Sequence, residues 1–204
     1  GRHIPDIVVG RLPRYLLALQ RFQISGVATI SSQELGEKLG LTAAQIRKDL
    51  SQFGEFGKQG TGYSVNYLID QLSKILKINR VWGMALVGAG NLGRAIAHYH
   101  GFTDRGFCIT HIFDNDPDKI GAVIADFVVH DIKDMAELTK KNNIKIAMLT
   151  VPSGEAQAVA DQLISAGVQA ILNYAPTQLS VPPGIRVQYI DPIFRLQHMT
   201  YYLD

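Results

Sequence analysis

Gly88, Gly90 and Gly93, in the run Val87-Gly88-Ala89-Gly90-Asn91-Leu92-Gly93, have the types and spacing that hold a pyrophosphate. The first glycine permits a tight turn, the second lets backbone approach the phosphates, and the third lets a helix pack closely on a strand. An acid about twenty residues on should accept hydrogen bonds from a ribose diol, and Asp114 lies 21 residues after Gly93. The neighbours Asn115 and Asp116 offer no cation for a 2′-phosphate, so the pattern favours NADH or NAD+ over the 2′-phosphorylated cofactors. A second group of residues suits a different polyanion. Ala44, Arg47, Lys48 and Ser51 recur at helical spacing, two short side chains beside two long cations, a face fitted to a major groove. Lys58, Gln59, Thr61 and Tyr63 follow in a stretch with four glycines between Gly54 and Tyr63, which reads as a hairpin wing along a phosphate backbone or minor groove.

Periodicity supplies the elements that must carry these residues. Met84-Ala85-Leu86-Val87 is an apolar strand entering the glycine turn, and a helix with Leu92, Ile96 and Tyr99 on one face leaves it. Residues 109–113 form the strand that delivers Asp114. Pro117 then opens a short helical turn, and 131–141 reads as a helix. Residues 144–149 are a continuous apolar strand of the parallel-sheet kind, 153–167 a helix, and 170–172 a further strand. Ligands of open parallel sheets gather at the carboxyl ends of strands, which makes Thr150, Val151, Pro152, Asn173 and Tyr174 secondary candidates for the nucleotide site.

In the first part of the chain, Leu12, Leu16, Leu19 and Phe22 define an amphipathic helix. Ser31-Ser32-Gln33-Glu34 and Thr42-Ala43-Ala44-Gln45 are two capping boxes, each opening a helix. Gly40 closes the first helix, and the pair outlines a helix-turn-helix. Burial of Ile46, Leu50 and Phe53 turns Ala44, Arg47, Lys48 and Ser51 outward. Tyr63-Ser64-Val65 is the returning strand of the wing, and 66–77 is a helix packing through Leu68, Leu72 and Ile75. The predicted organisation is a winged-helix DNA-binding domain over 1–79, a Rossmann nucleotide-binding domain over 80–190 and a C-terminal helix over 191–204. Asp191-Pro192 opens that last helix with proline at its first position. Its apolar residues, Ile193, Phe194, Leu196, Met199, Tyr201 and Tyr202, need a partner surface, on their own domain or on a second subunit.

Charge divides the same way. Residues 1–80 hold 11 Lys and Arg against 6 Asp and Glu, a net of +5, while 81–204 hold 9 against 12, a net of −3. Only the first part is expected to meet a polyanion. The single cysteine, Cys108, excludes an intrachain disulfide framework and a thiolate metal site, and no metal is expected. With no apolar run of membrane-spanning length and no signal peptide, the expectation is a soluble cytoplasmic protein. A hydride-transferring enzyme needs an acid or base beside a substrate pocket. No Tyr-x-x-x-Lys pair occurs, no second domain has substrate-binding size, and His98, His100 and His111 fall on the first nucleotide-domain helix or within a strand. A nucleotide site without catalytic residues indicates a sensor. The rivals are a small NAD-dependent oxidoreductase whose winged segment is a dimerisation arm, a regulator that binds a coenzyme A derivative, and a DNA-binding or scaffold protein with an empty fold.

Over essentially its full length the sequence resembles the bacterial Rex family of redox-sensing transcriptional repressors. The resemblance is carried by Arg11-Leu12-Pro13, Ile46-Arg47-Lys48-Asp49-Leu50-Ser51, Phe53-Gly54, Gly60-Thr61-Gly62-Tyr63, Gly88 to Gly93, Leu149-Thr150-Val151-Pro152 and 167–176. It implies an α/β protein: an N-terminal winged helix-turn-helix, a Rossmann-like doubly wound parallel sheet, and a C-terminal helix exchanged between the subunits of a homodimer. It also implies binding to double-stranded inverted-repeat operator DNA and release by NADH, with Tyr99 and Asp191 linking the nicotinamide state to domain angle. The family often has an arginine on the first helix to pair with that aspartate. The matching position here is Leu17, with Arg14 nearby.

Overall fold

The structure is a computed structural model that describes residues 4–58 and 62–203, with Lys58 described through its backbone alone. The chain divides into two compact units, Gly1–Arg80 and Val81–Asp204.

The first unit runs α1 (Asp6–Val9), α2 (Leu12–Ile24), β1 (Thr29–Ile30), α3 (Ser32–Leu39), α4 (Ala43–Ser51), β2 (Gly57–Lys58), β3 (Gly62–Ser64) and α5 (Val65–Ile75). The helices α2, α3, α4 and α5 close on one core through Leu12, Leu19, Leu35, Ile46, Leu50, Leu68 and Leu72. The box at Ser31 is complete: its hydroxyl accepts the Glu34 N–H at 3.1 Å and Glu34 accepts the Ser31 N–H at 2.8 Å. Gly40, at φ +68°, ends α3 in the left-handed conformation. The box at Thr42 is only half formed. Thr42 accepts the Gln45 N–H at 3.2 Å, but the Gln45 amide turns away to donate to Asp49 at 2.6 Å. Phe53 lies beyond the end of α4 rather than on it, yet still packs against the core. Strands β1, β3 and β2 pair antiparallel in that order. Val65 is not in the returning strand. Ser64 caps α5, and Val65 is its first, fully buried residue. Helix-turn-helix and three-stranded wing together make a winged helix.

The second unit comprises β4 (Trp82–Val87), α6 (Asn91–Ala97), β5 (Phe107–Asp114), β6 (Val123–Ile124), β7 (Phe127–Asp131), α7 (Met135–Lys141), β8 (Ile146–Leu149), α8 (Ser153–Ser165), β9 (Ala170–Asn173), β10 (Arg186–Tyr189) and α9 (Pro192–Thr200). Its sheet has the order β10-β9-β8-β4-β5-β7-β6, parallel throughout except where β6 pairs with β7. Alternation along β4 serves both faces. Met84 and Leu86 pack with Ile96 and Ala97 of α6, whereas Ala85 and Val87 pack with Ala156, Val159 and Leu163 of α8. The sheet is therefore doubly wound, and its strand order reverses between β4 and β8, where such folds open a crevice.

Several boundaries differ from the sequence reading. Helix α6 ends at Ala97, so His98 is its C-cap, and Tyr99 and His100 lie beyond it. There the Tyr99 ring folds over Gly101, where any Cβ would overlap it, and Leu92 is exposed rather than packed. Residues 131–141 divide into the end of β7, a short 3₁₀ segment (Ile132–Asp134) and α7, because the Asp131 carboxylate accepts the Lys133 N–H at 3.0 Å and starts a new turn. The stretch after Pro117 is the short helical turn expected, with the Lys119 and Ile120 N–H groups both donating to the Asp116 carbonyl. Helix α9 begins as expected, with Pro192 in its first turn and Asp191 accepting the Ile193 N–H at 2.9 Å. None of its residues is buried. Among the described residues, no helix is long and apolar enough to cross a membrane.

Candidate nucleotide site and nucleic-acid interface

At the crevice between β4 and β8, a cleft of about 370 Å³ is lined by Gly88, Gly90, Asp114, Thr150, Val151 and Pro152, together with Asn115, Lys119, Ile132 and Glu155. The three glycines are there for three different reasons. Gly88 has φ +103°, and a Cβ on it would stand 2.5 Å from the Thr150 carbonyl oxygen. A Cβ on Gly93 would overlap the Gly88 carbonyl oxygen, so close helix-to-strand packing requires glycine there. Gly90 has an ordinary φ of −74°, and none of the described residues comes within 4 Å of where its Cβ would be. Neither backbone nor packing demands glycine at that position, and the open space is a cradle that fits a ligand backed by bare main chain. Among the described residues no side chain caps α6, and its first-turn N–H groups at Asn91, Leu92 and Gly93 have no intrahelical acceptors. The Thr150 hydroxyl bonds the Val87 and Gly88 carbonyls at 3.0 and 2.8 Å, fastening the end of β8 to the glycine turn.

Asp114 is 6% exposed and already occupied. It accepts the Ala89 N–H at 2.6 Å and the Asp116 N–H at 2.8 Å, so it holds the glycine turn in place as well as facing the cleft. Ala89 is buried and gives its amide to Asp114 rather than to a ligand. The neighbours Asn115 and Asp116 offer no cation, but one reaches the acid from further along the chain. The turn after Asp116-Pro117 returns the chain, and the Lys119 ammonium lies 3.5 Å from Asp114 and 3.3 Å from Asp116. Burial works against that charge, but the contacts with Asp116 and Asp114 outweigh it and raise the ammonium's pKa. Since two carboxylates share this one cation, the local balance stays acidic. The available signal for Lys119 was a lysine five residues after the acid, just past the turn residue Pro117.

Other candidates fall outside the lining. Asn173 is buried, its amide donating to the Thr177 carbonyl at 3.0 Å and its oxygen accepting the Ala175 N–H at 2.9 Å. Its side chain closes the loop after β9. Tyr174 packs against the core on the α6 side, where burial raises its phenol pKa. Tyr99 is half exposed and stands edge-on to Phe102 with ring centres 5.0 Å apart. His111 stacks on Phe113 beside His130, and burial followed by that neighbour lowers its pKa.

On the first unit, Ala44, Arg47, Lys48 and Ser51 are all exposed along one side of α4. Arg47 donates to the Ser32 hydroxyl at 3.0 Å and the Ser51 hydroxyl donates to the Lys48 carbonyl at 2.9 Å. A groove of about 910 Å³ runs between the start of α3, α4 and the wing, with Ser32, Arg47, Ser51, Phe56 and Tyr63 in its walls. Tyr63 is half-buried against the core, which raises its pKa despite nearby Arg47. The Lys58 side chain, Gln59 and Thr61 lie outside the described residues.

The reverse side of α4 carries a feature the sequence reading missed. Asp49 is fully buried. Arg11 grips it in two-pronged fashion at 2.6 and 2.8 Å, and the Tyr15 hydroxyl and the Gln45 amide also donate to it. Burial alone would raise the Asp49 carboxyl, but these hydrogen bonds hold it below the ordinary range. Burial and then Asp49 push the Tyr15 phenol up to about 12. An acid three residues after Ile46, on the apolar side of the helix, was the available signal. Arg14 donates to the Leu39 carbonyl at 3.1 Å, at the end of α3.

Comparison with known proteins covers both units. The family model described as CoA binding domain matches residues 79–177, and that described as putative DNA-binding protein N-terminus matches 3–51. A redox-sensing transcriptional repressor Rex of Roseiflexus sp. (strain RS-1) is 51% identical over 98% of this chain and 90% of its own. The Rex of Carboxydothermus hydrogenoformans is 44% identical over 98% and 97%. A crystal structure of RSP in complex with beta-NAD+ and operator DNA is 40% identical, with a TM-score of 0.94 over 100% of this chain and 94% of that one. RSP in complex with beta-NADH is 38% identical, with a TM-score of 0.90 over 100% and 95%. Identity of this level along nearly the whole of both chains, winged helix and doubly wound sheet included, makes this chain a member of the redox-sensing transcriptional repressor Rex family.

Proposed function

We propose that this chain is a transcriptional repressor that binds double-stranded operator DNA when NADH is scarce and is released when NADH fills the cleft of its second unit. The observation that carries the reading is Gly90, a glycine that neither conformation nor packing explains, beside uncapped amides at the strand-order reversal. The similarity to RSP, crystallised with beta-NAD+ and operator DNA and separately with beta-NADH, supports it. Gly90 and the first-turn amides of Asn91, Leu92 and Gly93 would take the diphosphate, and Asp114 and Asn115 the adenosine ribose. Val151 and Pro152 would close the wall opposite. NAD+ carries a positive nicotinamide ring and NADH does not, and that difference is the signal to be read. In the first unit, Arg47 and Lys48, with Ala44 and Ser51 leaving room between them, would reach base edges while Lys58, Gln59, Thr61 and Tyr63 follow the backbone.

The coupling is reciprocal: a nucleotide that weakens DNA binding must itself bind the DNA-free form more tightly. Moving occupancy from nearly complete to nearly none needs roughly 5.5 kcal/mol of such preference. The chain acts as a homodimer whose two recognition helices face successive major grooves. The apolar side of α9, with Ile193, Phe194, Leu196 and Met199 each more than half exposed, supports an exchanged interface. Asp191, which caps α9, and Tyr99, just after α6, would take part in the coupling, and their likeness to family switch residues supports that role. We read the chain as a regulator and not an enzyme.

The test is fluorescence anisotropy of a labelled inverted-repeat duplex, with NADH titrated against a fixed excess of NAD+. Release that tracks the NADH:NAD+ ratio, with no consumption of NADH, is the expected result. DNA binding indifferent to both nucleotides would refute the switch, and steady NADH turnover with a metabolite would favour an oxidoreductase.

A further inference from the structure

Lys119 is the only cation lining the cleft among the described residues, and it stands where a phosphate on the adenosine ribose would seek a counter-ion. We infer that Asp116 sets which ribose the cleft accepts, because it engages Lys119 and so denies a ribose phosphate its partner. This rests on the reading of the cleft as a dinucleotide site. Asp116 does not itself line the cleft, and its two oxygens divide the work. Oδ1 accepts the Asp118 N–H at 3.0 Å and shapes the turn, while Oδ2 faces the Lys119 ammonium at 3.3 Å. Asp114 is the weaker restraint on that ammonium, at 3.5 Å, and is committed to the Ala89 and Asp116 amides. Across the cleft, Asn115 donates to Glu155 at 3.3 Å, which brings a third carboxylate to the rim. Asp114, Asp116 and Glu155 against Lys119 give three negative charges to one positive, a net of −2. A ribose diol is indifferent to that balance, whereas a phosphate monoester dianion is repelled by it.

Asp116→Asn keeps an oxygen for the Asp118 N–H and removes the charge that restrains Lys119. The freed ammonium can then donate to a phosphate, a charge-assisted bond of the strong kind. The experiment is calorimetric titration of the full chain with NADH, with NADPH (2′-phosphate) and with coenzyme A (3′-phosphate). In the parent, NADH binds and NADPH binds far more weakly. In Asp116→Asn the NADPH:NADH affinity ratio rises about tenfold, the scale of one such hydrogen bond, and Lys119→Met in the same background cancels the rise. A gain for coenzyme A alone would place the phosphate at the 3′ rather than the 2′ oxygen and keep Asp116 as the determinant. An unchanged ratio for both, a rise that survives Lys119→Met, or a parent that binds NADPH as well as NADH overturns the inference. A parent that binds none of the three overturns the dinucleotide reading itself, and the inference with it.

Discussion

Arg11→Met would leave the carboxylate of Asp49 buried without its counter-ion. Asp49 is fully buried, and the substitution removes both hydrogen bonds that Arg11 donates, at 2.6 and 2.8 Å. Breaking a buried ion pair from one side costs about 3–5 kcal/mol. Tyr15 and Gln45 still donate to the orphaned group, so the loss should fall near the lower figure, about 3 kcal/mol. That is a large part of the total stability of a small domain. The pH dependence has a definite sign. In the parent, Asp49 has a depressed carboxyl pKa, so its contribution is present above the unfolded value and fades as pH falls through the folded one. Without Arg11, burial dominates and the carboxyl rises, so acid relieves the variant, and the gap between variant and parent narrows toward pH 4. Adding Asp49→Asn removes the stranded charge and should recover most of the loss, giving a coupling of about 2 kcal/mol in the double-mutant cycle. The assay is urea unfolding followed by helical circular dichroism, with amide exchange of α2 and α4 as the local reporter. Trp82, the only tryptophan, lies in β4 and reports the second unit instead. A loss below about 1 kcal/mol at pH 7, or one that Asp49→Asn fails to restore, would refute the assignment of Arg11 as the counter-ion that makes burial of Asp49 tolerable.

Gly90→Ala should leave the urea midpoint within about 0.5 kcal/mol of the parent yet weaken NADH binding tenfold or more in calorimetry, whereas Gly88→Ala, at φ +103°, should cost about 2–4 kcal/mol; the reverse ranking would contradict the cradle. Because the Tyr15 phenol is held up at about 12 against about 10 when unfolded, its stabilising effect is intact below pH 10 and is lost as pH climbs to 12. The fall should be about 2–3 kcal/mol, and Tyr15→Phe should flatten that alkaline slope in denaturant midpoints. Ala125 sits at φ +51° in the β6–β7 turn, so Ala125→Gly should raise stability by roughly 0.5–1 kcal/mol, and an unchanged midpoint would count against strain there. Arg47→Ala should relax base discrimination in operator-variant titrations, while Lys58→Ala should lower the salt slope by about one; equal effects of both would show that the recognition face is misassigned.

How far the sequence carried the reading depended on whether a feature was local. The left-handed turn at Gly88, the contact of Gly93 with the Gly88 carbonyl and the capping box at Ser31 are set within a few residues of chain, so these roles could be read from spacing. The continuous apolar runs of β4 and β8 likewise announced a parallel sheet. Strands β1 and β6 were missed because two residues are too few to show a period against the surrounding loops, and β7 and β10 were not read either. Asp49 and Lys119 were missed for another reason: their partners lie at Arg11, far off in sequence, and at Asp114, behind a reversing turn. Gln45 shows the converse limit. Its position matched a local motif, but a buried carboxylate one helical turn on competed for the same amide and won.

The place of β4 also governs how the second unit can be made. It is the first strand of its sheet to leave the ribosome, yet it ends in the middle, between β5 and β8. Its partner on one side arrives soon afterwards, but β8 begins only at Ile146. At about 5–20 residues per second, the edge formed by Met84, Ala85, Leu86 and Val87 waits several seconds without a neighbour. An unpaired apolar edge of this kind is a template for other extended chains. Translation past Ile146 therefore does two things in one step: it covers the segment most prone to aggregate, and it brings Thr150 to the glycine turn whose shape it completes.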